Sequence, residues 1–118
     1  MTEYMIMLPG DESTWEGADE ATRTAMYARH TEFAQSLEKR GHAVTRGAEL
    51  THSRTARTLR TDDGNVTVTD GPYAETVEQL TGFYLVRSED LDDLLDVCRI
   101  LADKDGGIEV RACVPSPQ

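Results

Sequence analysis

Two cysteines, Cys98 and Cys113, are the only thiols in a chain of 118 residues. Their separation fits neither a CxxC metal or redox pair nor the disulfide framework of a small secreted domain. They read as free thiols in a reducing, cytoplasmic setting, where an unpaired cysteine behaves as a small hydrophobe. Basic charge is also scarce: 12 Lys and Arg stand against 22 Asp and Glu, a formal net charge of −10. The cations are scattered (Arg23, Arg29, Lys39 and Arg40 on one segment, Arg54, Arg57 and Arg60 on another), so no basic stripe exists to neutralise phosphates, and a nucleic-acid partner is excluded. Long apolar runs are missing too. "YMIML" (Tyr4–Leu8) is too short for a signal-peptide core and follows Glu3 instead of a basic cluster, and nothing approaches the roughly 20 residues of a membrane-spanning helix. No repeat, low-complexity tract, phosphate loop, nucleophile elbow, metal triad or spaced Cys–His pair is present. The chain is therefore expected to form one domain over residues 1–118, with the tail 115–118 frayed, and with no metal, cofactor or membrane partner.

What is present is a clear succession of periodicities. Tyr4–Leu8 reads as a strand apolar on both faces, stopped by Pro9-Gly10, with "DESTWEGAD" as a polar loop carrying the only tryptophan, Trp15. From about Asp19 to Arg40 the spacing is helical, with Met26, His30, Phe33 and Leu37 on one stripe and Gly41 as a left-handed stop. His42–Val44 reads as a short strand and "TRGAELTHS" as a loop. "RTLRT" and "VTVTD" flank Asp62-Asp63-Gly64-Asn65, an Asp-Gly hairpin signal. That register pairs Asp62 with Asn65, Leu59 with Val68 and Arg57 with Asp70. It sets Arg57, Leu59, Thr61, Val66, Val68 and Asp70 on one face, which is expected to point toward something partly buried. Gly82–Val86 is a second strand apolar on both faces. "SEDLDDLLDVCRILAD" reads as an amphipathic helix with Leu91, Leu94, Leu95, Cys98 and Leu101 inward. Its acidic first turn complements the helix dipole as a solvated cap, not as a metal site. "GGIEVRACV" closes the chain as an alternating strand.

The order β-α-β, hairpin, β-α-β puts two helices on one face of a sheet. The two strands apolar on both faces require a cover for the other face, and a second copy of the chain is the economical one.

"VTDGPYAETVEQLTGFYLV", followed by "SEDLDDLLDVCRIL" and "GGIEVRACV", resembles the DGPF-type branch of the YCII-related proteins. The resemblance reaches back over "RGAEL" and "YMIMLPGDE", and departs inside the motif only at Tyr73, where the family carries phenylalanine. It implies a ferredoxin-like α+β unit with an inserted β-hairpin, paired through its sheet face into a dimeric α/β barrel. For function it implies less. Most members have no assigned reaction; relatives include a lyase-like enzyme of chloroaromatic breakdown and proteins with a His–Asp pair in a cleft. Some DGPF-type proteins occur beside or fused to alternative sigma factors. The expected function is thus either a lyase- or isomerase-like small-molecule enzyme or a non-catalytic ligand- or partner-binding module linked to transcription.

The candidate catalytic pair is His30 and Asp70. His30 interrupts an apolar stripe and so faces the sheet, and the resemblance places a histidine on the side lining the cleft; a core histidine satisfied by one hydrogen bond is the competing reading. Asp70 either points into a partly dry cavity, where its titration is perturbed, or forms a cross-strand ion pair with Arg57. Gly71 and Pro72 form a stiff exit from the strand that fixes Asp70 and Tyr73 at the rim. Arg57, Gly71, Pro72 and Tyr73 are the candidate ligand-binding residues. If the cleft is functional, His30 and Asp70 should converge in it. Glu75 and Glu78 read as solvated loop charges, and His42 and His52 as residues without an identifiable partner.

Overall fold

The computed structural model describes residues 1–102 and 106–116. Among them six strands and three α-helices follow in order: β1 (Thr2–Asp11), α1 (Glu12–Glu16), α2 (Glu20–Lys39), β2 (Ala43–Glu49), β3 (Arg57–Asp62), β4 (Asn65–Asp70), β5 (Glu78–Ser88), α3 (Leu91–Cys98) and β6 (Glu109–Ala112). Four strands form an antiparallel sheet ordered β2-β5-β1-β6, and β3 and β4 form a separate two-stranded sheet. The architecture is α+β. The two strands read as apolar on both faces, β1 and β5, are the central pair.

Alternation divides their side chains. Ile6 and Val86 are fully buried, with Tyr4, Leu8 and Tyr84 packed beside them. Phe33 and Leu37 of α2 and Leu94, Val97 and Cys98 of α3 complete the same core, so both long helices lie on one face. Each such side chain contributes about 1.5–3 kcal/mol by leaving water. Met5, Met7, Phe83 and Leu85 point the other way; each stays partly exposed and none joins the core.

Several elements differ from the sequence reading, each for a local reason. Pro9-Gly10 does not end β1. The strand continues to Asp11 through a register shift between Leu8 and Pro9. Proline cannot donate to a ladder, and there the Thr81 hydroxyl donates to the Leu8 carbonyl at 2.7 Å instead. The expected loop after it holds α1, capped by Asp11, whose carboxylate accepts from the Ser13 N–H at 3.0 Å. β2 runs on to Glu49 over residues expected to be loop. α2 begins and ends as its caps dictate, with Asp19 accepting from the Thr22 N–H at 2.8 Å and Gly41 at φ 86°.

α3 is shorter than expected. Val97 is buried in it, whereas Leu91 and Leu95 are 40% and 42% exposed; the expected end of this helix at Asp103 lies outside the described residues. In β6, Val110 packs on the core but Val114, beyond the strand, is 91% exposed. Of the expected frayed tail, residues 117 and 118 also lie outside the described residues.

The hairpin has the expected register, residue for residue, and Asp63 and Gly64 both take positive φ (49° and 79°), as a type I′ turn demands. Its apolar face is not buried within the chain. Leu59, Val66 and Val68 are each more than 60% exposed, and the buried side chain is Thr58 on the opposite face. The hairpin is an arm. The radius of gyration is accordingly 16.5 Å, against about 13.5 Å for a compact domain of this length.

Candidate functional site

α2 and β5 build an open cavity. Its volume is about 440 Å³; Tyr27, His30, Thr31, Gln35 and Glu38 line it from one side of α2, and Tyr84 lines it from the sheet. His30 stands on the inward stripe but half-buried, because its partner is a polar tip and not a hydrocarbon. Its Nδ1 is 2.7 Å from the Tyr84 hydroxyl, and the two rings stack with centroids 5.9 Å apart. Phe33 also packs against Tyr84, ring centroids 5.1 Å apart.

Tyr84 can lie flat because Gly47 is opposite it in β2. A β-carbon there would come within 2.8 Å of the tyrosine ring. Two residues along β2, Glu49 accepts a hydrogen bond from the Tyr27 hydroxyl at 3.1 Å. Tyr27 in turn meets the edge of Trp15, ring centroids 5.5 Å apart.

Burial lowers the pKa of His30, and the neighbouring Arg29 charge adds to it, so the imidazole is neutral near pH 7. Burial raises that of Tyr84, which keeps its proton. A phenolic O–H is a stronger donor than a neutral imidazole N–H, and an imidazole nitrogen the stronger acceptor. Tyr84 therefore donates to Nδ1, and the ring proton sits on Nε2. Among the described residues Nε2 makes no hydrogen bond. In that tautomer the imidazole offers a neutral N–H donor.

Asp70 is elsewhere. Its side chain is 82% exposed and pairs with Arg57 across the hairpin at 3.2 Å. The expectation that it shares a buried side with His30 is thus corrected: the hairpin face that carries it is open. Asp70, Gly71 and Pro72 line a second concavity of about 310 Å³ with His52, Ser53 and Arg54. Gly71 takes φ 103°, its N–H donates to the Ala56 carbonyl at 2.8 Å, and its own carbonyl accepts from the Thr58 hydroxyl at 2.7 Å. Those bonds clamp the exit from β4 to the base of the arm. Tyr73 is 76% exposed, with the Arg60 guanidinium 4.8 Å above its ring.

Both histidines read as partnerless have partners. His52 accepts the Arg54 N–H through Nδ1 at 3.0 Å and lies 3.6 Å from Glu16. His42 is buried, with Nδ1 2.8 Å from the Ser88 Oγ and Nε2 2.7 Å from Asp93. Ser, His and Asp are the residue types of a hydrolytic triad, but Ser88 is 1% exposed and its Oγ is held by the Asp90 backbone N–H and carbonyl at 3.0 and 3.1 Å. No substrate reaches it. The trio ties β2, β5 and α3 together, and Arg40 closes it by pairing with Asp93. Among the described residues no His, Cys, Asp and Glu group is arranged to hold a metal, and no helix is long and apolar enough to cross a membrane.

The family model of the YCII-related domain matches residues 2–115. The chain belongs to that family. An uncharacterised protein of Rhizobium meliloti (strain 1021) is 46% identical over 67 residues, an alignment covering 54% of this chain and 54% of that protein. The chain therefore spans about half the length of the curated relative that it matches. Neither the YCII match nor the relative carries an assigned reaction.

Proposed function

We propose that this YCII-family chain is a small-molecule-binding protein whose ligand site is the cavity between α2 and Tyr84. The observation that carries the reading is the 2.7 Å contact between His30 and Tyr84, which engages Nδ1 and leaves Nε2 without a hydrogen bond among the described residues. Its aromatic rings offer apolar surface, and His30, Thr31, Gln35 and Glu38 offer polar groups that can orient a ligand.

A lyase- or isomerase-like reaction is the second reading. In it His30 acts as the acid/base group and Tyr84 orients it, as Asp70 was expected to do. A neutral N–H donor suits polarising a bound oxygen better than it suits abstracting a proton, which favours binding over acid/base work. The DGPF-like turn contributes through Gly71 and Pro72 as a rigid bracket, with Asp70, Arg57 and Tyr73 at its rim, as a second contact surface for a ligand or a protein partner such as transcription machinery.

We further infer a homodimer of ferredoxin-like units joined through the Met5, Met7, Phe83 and Leu85 face into a barrel. The two free thiols, Cys98 and Cys113, support a reducing compartment such as the cytoplasm.

The test is nitrogen-15 NMR of the imidazoles. His30 is expected to titrate below the ordinary histidine value of 6.5 as the Nε2–H tautomer. Tyr84→Phe should raise the share of the other tautomer. A His30 that titrates normally, as a tautomer mixture indifferent to Tyr84→Phe, would remove the reading.

A further inference from the structure

Among the described residues, the one formally charged side chain in the cavity lining is acidic. Glu38 lines it directly, and Glu49 stands behind the Tyr27 hydroxyl that donates to it. The remaining polar groups, Thr31, Gln35, His30 and the two tyrosines, are neutral near pH 7. The nearest cation along the helix, Arg29, is committed elsewhere: its Nε and Nη2 donate to the Ile100 carbonyl at 3.2 and 2.6 Å, at the end of α3. Arg23 is likewise held away, over the Trp15 ring at 5.3 Å and on the Trp15 and Glu16 carbonyls at 3.1 and 3.2 Å. A carboxylate or phosphate entering here would find no cation in the cavity lining, though the Arg29 charge is felt at His30, in a chain whose net charge is already −10.

An ammonium group would meet the opposite. Glu38 offers a charge-assisted acceptor. Stacked His30 and Tyr84 present an aromatic wall with the Nε2–H as a donor. We propose that the His30 cavity takes a small amine: an ammonium head toward Glu38, and an apolar or aromatic body against His30 and Tyr84. The proposal rests on the reading of this cavity as a ligand site and narrows it to a chemical class.

Three probes of one size separate the possibilities: phenethylamine, 3-phenylpropanoate and 2-phenylethanol share a ring and a short linker and differ in charge. Binding is followed by the His30 imidazole resonances and by the aromatic resonances of Tyr84. Phenethylamine is expected to saturate those shifts at about tenfold lower concentration than the carboxylate, the size of effect that one charge-assisted contact supplies, with the alcohol between them. Glu38→Gln, at an exposed helix position, should bring amine and carboxylate to within about twofold. Should the carboxylate saturate at equal or lower concentration, or the preference survive Glu38→Gln, the amine assignment falls while the cavity stands as a ligand site. If none of the three moves the His30 or Tyr84 resonances at millimolar concentration, the cavity reading falls with it.

Discussion

Gly47 is the residue on which the candidate site depends without touching it chemically. The β-carbon of alanine at this position would sit 2.8 Å from Tyr84 Cδ1 and 3.2 Å from Cε1, and the ring cannot swing aside without leaving His30 or Phe33. Gly47→Ala is therefore expected to cost about 1–3 kcal/mol, the usual penalty for overpacking, and to detach the Tyr84 hydroxyl from His30. Thermal melts and the His30 tautomer together test this; an unchanged tautomer would show that the ring has other room. The cysteines differ as sharply. Burial pushes the Cys98 thiol up to about 11, whereas Cys113 is only partly buried, in the extended segment after β6. Since the thiolate is the reactive form, an aromatic disulfide reagent at pH 8 should label Cys113 promptly and Cys98 only on unfolding. Equal rates would contradict the packing of α3.

At the scale of elements, the join of α2, β2 and α3 runs through Asp93, with Asp96 as a second partner of Arg40 at 3.1 Å. The hydrogen bond from His42, and then that from Arg40, hold the Asp93 pKa below the ordinary carboxylate value. A depressed folded value means that ionised Asp93 stabilises the fold fully above the ordinary carboxylate range, and that this contribution is lost as pH falls through the folded value. Asp93→Asn should thus melt several degrees lower near pH 7, with the gap closing on acidification toward pH 3; a gap independent of pH would assign the loss to geometry instead of charge. The sequence made much of this scale legible. Steps of four, three and four marked α2, short runs apolar on both faces marked the central strands, and the Asp-Gly turn set the hairpin register, because those signals are local. It hid the course of β1 past Pro9, because the compensating Thr81 hydroxyl lies more than seventy residues away in the chain. His42 and Asp93 were hidden for the same reason. Tyr84 was not hidden: it alternates inward with Val86, just as His30 lies on the stripe of Phe33, and pairing the two inward polar tips would have found the contact. Asp70 misled because its face carries Leu59, Val66 and Val68, an apolar set that the chain itself leaves open.

For the whole molecule, two apolar surfaces remain uncovered: the sheet face of Met5, Met7, Phe83 and Leu85, and the hairpin arm. Sedimentation equilibrium at micromolar concentration is expected to give twice the chain's mass, with a buried area of at least the standard ~1,600 Å². Phe83→Arg, which puts a charge in the middle of the sheet face, should yield monomers of much lower stability. A wild-type monomer that is stable and folded would dispose of the dimer. The central pairing has a further consequence, for the order in which the fold is made. Residues 2–11 pair with 78–88, so β1 waits for its first neighbour until most of the chain has left the ribosome. The hairpin, by contrast, closes over two residues and can form within microseconds. Assembly is therefore paced by a contact of long sequence separation, and a nascent chain halted before Glu78 would carry its most aggregation-prone segment, Tyr4–Leu8, with neither edge occupied.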